Sequence, residues 1–278
     1  MAQSAIPWLR RTQPSSRPTV RLREPWWLLS LPLLLFLTLP IIAIFLRTPP
    51  AHLLANLRET QVIQAVGLSM VTTCITLAIT VVFGTPVAYL MARYDFPLRR
   101  AVDTILDLPL VLPPAVTGVA LLMAFGRRGI LGSYLEIMGV SIAFTQIAVV
   151  MAQTFVAAPF YVKAAILGFS SIEPELEQAA ALDGASGRQI FRFITIPLSW
   201  MALLSGMVMT WARALGEFGA TIIFAGNFPG RTQTMPLAIY IGFELDLDVA
   251  LTLAVILIGF SFLVLMIVKG ILRSDLQT

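Results

Sequence analysis

The chain has 278 residues, of which 58% are hydrophobic and only 12% charged, with a formal net charge of +4. A soluble domain carries about 25% charged residues, so the composition excludes an ordinary soluble core, and its hydrophobicity excludes a disordered chain. The basic balance does not argue for nucleic acid, because Lys and Arg gather at the ends of apolar runs, the topology pattern of membrane proteins.

Residues 1–25 read as a basic cytoplasmic arm, with Arg10, Arg11, Arg17, Arg21 and Arg23. The apolar run that follows, 26–46, is too long for a signal-peptide core and lacks a small-residue cleavage site. It is expected to be a first membrane helix anchored by Trp26 and Trp27. His52, the one histidine of the chain, lies in the polar stretch beyond it and reads as a surface residue.

A second apolar run covers Val66 to Ala92 and holds the single cysteine, Cys74, so neither an internal disulfide nor a cysteine-based metal site is possible. A third run, Ala101 to Phe125, is interrupted by Pro109, Pro113 and Pro114. Broken helices survive at membrane depth only beside protein or a water-filled cavity. The third run is therefore expected to bend, either beside a solute pathway or as a plain structural kink. Ile142 to Tyr161, Leu198 to Phe224 and Val249 to Val268 complete the set. Each run has the roughly 20 residues that a helix needs to cross hydrocarbon.

The expected fold class is all-α: a polytopic protein of six transmembrane helices, with five of them forming a core over residues 62–270. Placing the N-terminus in the cytoplasm leaves thirteen of the 19 Lys and Arg residues on inside segments, five outside and Arg213 within the fifth run. Both termini are then cytoplasmic. Arg127, Arg128 and Arg231 fall outside, either as ordinary surface charges or as a collar for an anion or a docked protein.

The largest hydrophilic insert, within 165–197, is cytoplasmic in this topology. Glu173 to Ala181 reads as a short helix, with Pro174 and Glu175 in its first turn and Gly184 as the break that ends it. A second helical stretch starts near Ser186, and Pro197 marks the beginning of the fifth run. Helix, glycine and helix on a membrane face make a rigid knob that a soluble partner can grip.

This insert resembles the EAA loop of ABC importer permeases: Glu-Ala-Ala, three residues, Gly, nine residues, Ile, one residue, Leu, Pro. Ala179, Ala180, Gly184, Ile194 and Pro197 match. Gln178 replaces the family's Glu, although Glu177 is adjacent, and Ile196 replaces Leu. The resemblance implies the type I ABC importer permease fold and a coupling helix that docks into a cleft of an ATPase subunit. It also implies two such ATPase copies, a second permease chain forming a homodimer, an extracytoplasmic substrate-binding protein, and residence in the bacterial cytoplasmic (inner) membrane. No Gly-x-x-x-x-Gly-Lys-[Ser/Thr] occurs, so ATP hydrolysis is assigned to that separate subunit and the chain is expected to be neither an enzyme nor a binder of any cofactor.

Two further segments resemble permeases for tetrahedral oxyanions. One runs from Asp107 through Pro113 and Pro114 to Gly118 and is followed by Gly126-Arg127-Arg128-Gly129. The other runs from Arg213 through Gly216, Glu217 and Gly219 to Thr221 and is followed by Gly226-Asn227-Phe228-Pro229-Gly230-Arg231-Thr232. They look most like the molybdate branch, with tungstate, sulfate and thiosulfate as alternatives. Arg213 and Glu217 lie four residues apart, so they share a helix face. They read as a structural pair, with direct anion contact by Arg213 as the alternative. Gly216 and Gly219 permit close helix approach or a local break.

An ion-gradient transporter would leave the EAA spacing unexplained, and the internal repeat common in such proteins is missing. A membrane enzyme would need a metal cluster, paired carboxylates or a nucleophile with a histidine partner, and no such constellation is evident.

Overall fold

The computed structural model describes residues 26–275, so the basic arm 1–25 lies outside the described residues. The described elements are helices throughout. Two compact units divide the chain, Met1–Ala43 and Ile44–Thr278.

Helix α1 (Trp26–Arg47) contains Pro32 and Pro40. The Thr38 hydroxyl donates to the carbonyl of Leu34 at 2.8 Å, satisfying itself within the helix as a hydroxyl in an apolar segment must.

The second unit contains α2 (Pro50–Asn56), α3 (Thr60–Arg93), α4 (Arg99–Val111), α5 (Pro114–Phe125), α6 (Gly132–Ile137) and α7 (Gln146–Ser170). After them come α8 (Pro174–Leu182), α9 (Gly187–Ile190), a π-helical turn (Phe191–Thr195), α10 (Ile196–Leu215), α11 (Gly219–Phe224), α12 (Met235–Leu245) and α13 (Leu247–Asp275). Among the described residues five helical segments are long and apolar enough to cross a membrane; the sixth expected span is the pair α4 and α5, bent by 118°. Its cause is local. Pro113 forces Leu112 into extended backbone (ψ 133°), and Pro114 restarts the helix at its first position, where no N–H is needed.

Helix α7 is the axis of the unit, packed along α3 on one side and α10 on the other. Small residues allow the approach, as expected where lipid supplies no hydrophobic drive between helices. A methyl group on Gly206 would lie 2.8 Å from the Ala164 Cβ, and one on Gly168 would lie 2.5 Å from the Ala202 Cβ. Polar side chains stitch the same seams. The Thr76 hydroxyl donates to the Gln153 amide oxygen at 3.2 Å, Thr85 and Tyr161 share a hydrogen bond of 2.6 Å, and Thr210 donates to the carbonyl of Ala157 at 3.2 Å.

The fifth expected span differs from its sequence reading. It was one run from Leu198 to Phe224, but the helix stops at Leu215 and restarts at Gly219. At the other end it starts earlier, continuing from α9 through the π turn. Pro197 explains that turn: it cannot donate to the carbonyl of Phe193, and the widened turn just before it absorbs the lost bond. Helix α12, of eleven residues, was not foreseen as an element.

Candidate functional site

Helix α8 and the turn after it carry most of the residues that resemble the EAA loop. Gly184 sits at φ +88°, a left-handed conformation that costs an L-residue roughly 1–2 kcal/mol. Around it the Ala185 N–H donates to the Ala180 carbonyl at 3.0 Å and the Gly184 N–H to the Ala181 carbonyl at 3.0 Å. This is the Schellman closure, which satisfies the last carbonyls of the helix. Ser186 then opens α9, its backbone N–H donating to the Gln189 side-chain oxygen at 2.7 Å. A Cβ at Gly184 would meet nothing within 4 Å, so the turn is an open surface feature.

One side chain roots this knob in the membrane helices. Glu177 Oε1 accepts from the Arg93 guanidinium at 2.9 Å and from the Thr195 hydroxyl at 2.7 Å. Arg93 closes the loop by donating to the carbonyl of Ile172 at 3.2 Å. Helix α8 is thereby tied to the end of α3 and to the π turn. Gln178 and Ala179 face outward, Ala180 and Ile194 are half-buried, and Pro197 is exposed. Leu182, 89% exposed, stands beside the glycine turn, an unusually bare leucine for a segment otherwise this well fastened. Arg93 and Thr195 were not among the residues singled out from sequence. Arg93 is 84 positions from Glu177, and the only trace of it was a basic residue at the end of an apolar run.

The second candidate region lies where α10 ends and α11 begins. Gly216 terminates α10. Glu217 is 1% exposed and divides its oxygens: Oε2 pairs with the Arg213 guanidinium at 2.8 Å, and Oε1 accepts the Ala220 N–H at 2.9 Å. The carboxylate therefore bridges the last turn of one helix and the first turn of the next. The Arg213 charge is met by this carboxylate.

Pro114 and Gly219 come together at this break: a Cβ on Gly219 would lie 2.5 Å from that of Pro114. Pro113 precedes α5 in extended backbone and its carbonyl accepts the Thr117 N–H at 3.1 Å. Residues of α5 and α11 bury one core with α7, built from Leu121, Val149, Val156, Ala220 and Phe224. The two interrupted spans thus abut at their breaks. Helix α4 is held separately, by Lys163 of α7, whose ammonium meets Asp103 at 2.7 Å and Asp107 at 2.8 Å.

The remaining motifs are compact turns. After α5, the Ile130 N–H returns to the Met123 carbonyl at 3.0 Å and the Leu131 N–H to the Ala124 carbonyl at 2.8 Å, leaving Arg127 and Arg128 exposed. In the loop before α12, the carbonyl of Phe228 accepts N–H groups from Arg231, Thr232 and Gln233. Ser69 of α3 takes the Met235 N–H at 2.8 Å, which fixes the start of α12. Among the described residues no cluster of His, Cys, Asp and Glu is arranged to hold a metal.

Comparison with known proteins meets this geometry from two directions. The probable transport system permease protein NifC of Clostridium pasteurianum is 37% identical over 240 residues, which are 86% of this chain and 84% of that protein. The molybdenum transport system permease protein ModB of Mycobacterium tuberculosis is 39% identical over 233 residues, 84% of this chain and 88% of that protein. In structure, the chain is similar to one in a bacterial alginate ABC transporter solved in complex with an alginate pentasaccharide-bound periplasmic protein. There the TM-score is 0.73 at 18% identity, covering 91% of this chain and 96% of that one, a likeness of fold. The family described as binding-protein-dependent transport system inner membrane component matches residues 84–274, from the last third of α3 through both helix breaks and the α8–α9 knob to the last turns of α13. An all-helical unit with interrupted spans and a fastened external knob, matched over this range, is an ABC importer permease, and the chain belongs to the binding-protein-dependent transport system inner membrane components.

Proposed function

We propose that this chain is the subunit that carries molybdate across the bacterial cytoplasmic membrane, working as a pair of identical chains. A binding protein delivers the oxyanion from outside, and two copies of a separate ATPase drive the cycle. Both termini are cytoplasmic in this reading, so α8 and α9 face the ATPase. The observation that carries it is the knob itself: a helix closed by Gly184, bare at Leu182, and rooted through Glu177 in α3 and the π turn. A force applied to such an element reaches the spans directly, because the contacts are charged and run across elements. Glu177, Gln178, Ala179, Ala180, Gly184, Ile194 and Pro197 form this coupling segment.

The abutting breaks are the proposed gate region, with Pro113, Pro114, Gly216 and Gly219 supplying the interruptions. Arg213 and Glu217 hold the break together instead of binding the solute. A neutralised arginine suits a pathway, since a free one would trap its anion. Molybdate is chosen over sulfate, thiosulfate or tungstate on the names of the relatives, and all four are tetrahedral dianions or close to it.

The test is uptake by vesicles containing the purified complex. Gly184→Trp puts bulk into the open surface that the ATPase is to cover and strains the left-handed turn. ATP-driven molybdate uptake is expected to fall to background while the permease remains folded. Normal uptake by an assembled Gly184→Trp complex would overturn the coupling assignment. Excess unlabelled sulfate should leave wild-type molybdate uptake intact; strong competition would move the substrate to sulfate.

A further inference from the structure

The coupling segment borders a groove that its proposed function does not use. The groove has a volume of about 540 Å³ and runs along the last third of α3, from Val81 and Val82 past Pro86 to Tyr89, with Phe191 of the π turn as its far wall. The aromatic wall is rigid: Tyr89 meets Phe191 edge to face at 5.0 Å and Phe169 at 5.7 Å. The Thr85 hydroxyl in the floor is spent, since it donates to the Val81 carbonyl at 2.6 Å or shares its proton with Tyr161. At one end stands Arg188, exposed and without an ion-pair partner among the described residues.

We propose that this groove binds an anionic phospholipid of the cytoplasmic leaflet, its phosphate on Arg188 and an acyl chain along Val81, Val82 and Pro86. The inference rests on the orientation proposed above, which puts the α8–α9 end of the unit in the cytoplasm. Three features select this occupant. The lining is apolar along the α3 side, from Val81 to Tyr89, which is about 12 Å of helix rise and accepts a straight chain. The outer lip is continuous with an apolar face of α3, where Val82 is 64% and Phe83 69% exposed. The charge pattern is one cation at one end, the complement of one anionic headgroup joined to a hydrocarbon tail.

The experiment uses the intact complex with its ATPase, purified in mild detergent and stripped of lipid. It is titrated with palmitoyl-oleoyl phosphatidylglycerol or phosphatidylcholine and read by native mass spectrometry. Phosphatidylglycerol is expected to bind each permease chain in preference to phosphatidylcholine. Arg188→Gln should weaken phosphatidylglycerol binding about fivefold, the value of one arginine at an anionic surface, without altering phosphatidylcholine. Val82→Trp, on an exposed position, should fill the groove and reduce binding of both lipids. A photo-reactive benzoylphenylalanine in place of Val82 should capture phospholipid in membranes. Equal phosphatidylglycerol binding by wild type and Arg188→Gln overturns the proposal, as does capture of a second permease chain or of the ATPase at position 82. The ATPase is counted in the same spectra, so its absence from the wild-type complex would sink the coupling reading while lipid binding to the permease chain is still measured.

Discussion

Two regions of this molecule combine a helix end, a glycine and a glutamate, and use them by opposite means. At the knob, Gly184 is needed for its backbone: φ is +88° and the space around it is empty. At the α10–α11 break, Gly219 is needed for its size, because the Pro114 Cβ occupies the place its own would take. The glutamates differ in the same sense. Glu177 reaches to Arg93 of a distant helix and remains partly exposed, whereas Glu217 is buried and pairs within its own turn. The carboxylate of the exposed element is fastened to a distant helix, and the carboxylate of the buried interruption is fastened within its own turn.

The largest expected effect breaks the buried side of this contrast. Glu217→Ala leaves the part-exposed Arg213 guanidinium and the buried Ala220 N–H without their partner. Removing one member of a fully buried pair costs about 3–5 kcal/mol, and solvent at Arg213 brings the figure here to about 3 kcal/mol. The purified complex should unfold well below the wild-type temperature in a thermal-shift assay. Glu217→Gln retains an oxygen for Ala220 and should lie between the two. If Glu217→Ala were as stable as wild type, the carboxylate would not be the staple of the break.

The two glycines come next, and a pair of alanine substitutions separates them. Gly219→Ala must push against Pro114, an overpacking cost of about 1–3 kcal/mol, and is expected to lower thermal stability. Gly184→Ala meets no atom but must adopt the left-handed turn, at about 1–2 kcal/mol confined to an exposed segment. Its loss should appear mainly in ATPase co-purification, with the thermal midpoint nearly unchanged. Gly184→Asn, which tolerates that conformation better, should restore the partner. The reverse pattern, with stability lost at 184 and assembly lost at 219, would exchange the roles of the two regions.

Parts of this contrast were legible in the sequence, and the division is physical. Gly184 could be read because a helix end is a local event, written within a few residues of the chain. The kink at Pro113 and Pro114 could be read for the same reason. The break at Gly216–Gly219 was present only as an option, since two glycines in an apolar run serve close packing as readily as interruption. What decided it is the fit of Gly219 to Pro114, more than a hundred positions away, and the reach of Glu217 to the Ala220 N–H. The i, i+4 pairing of Arg213 with Glu217 was readable from spacing alone, but the second ligand of that carboxylate was not. Helix α12 is too short to announce itself as a span. Arg93 and Thr195 were invisible as anchors because neither periodicity nor motif links them to Glu177.

The smallest effect tests the long-range anchor where it is least disturbed. Thr195 is fully buried in the π turn and gives its hydroxyl proton to Glu177 Oε1. Thr195→Val retains the shape and removes that donor, while Arg93 still neutralises the carboxylate. The loss is expected to be about 1 kcal/mol, a single hydrogen bond. Such a loss is too small to unfold the unit. It loosens the knob from the helix that leads into α10 and leaves its link to α3 in place. ATP hydrolysis by the assembled complex should therefore persist while molybdate moved per ATP declines, whereas Glu177→Ala, which also frees Arg93, should impair both. If Thr195→Val left transport per ATP unchanged, the path from knob to spans would run through Arg93 and α3 alone, and the π turn would be only the accommodation of Pro197.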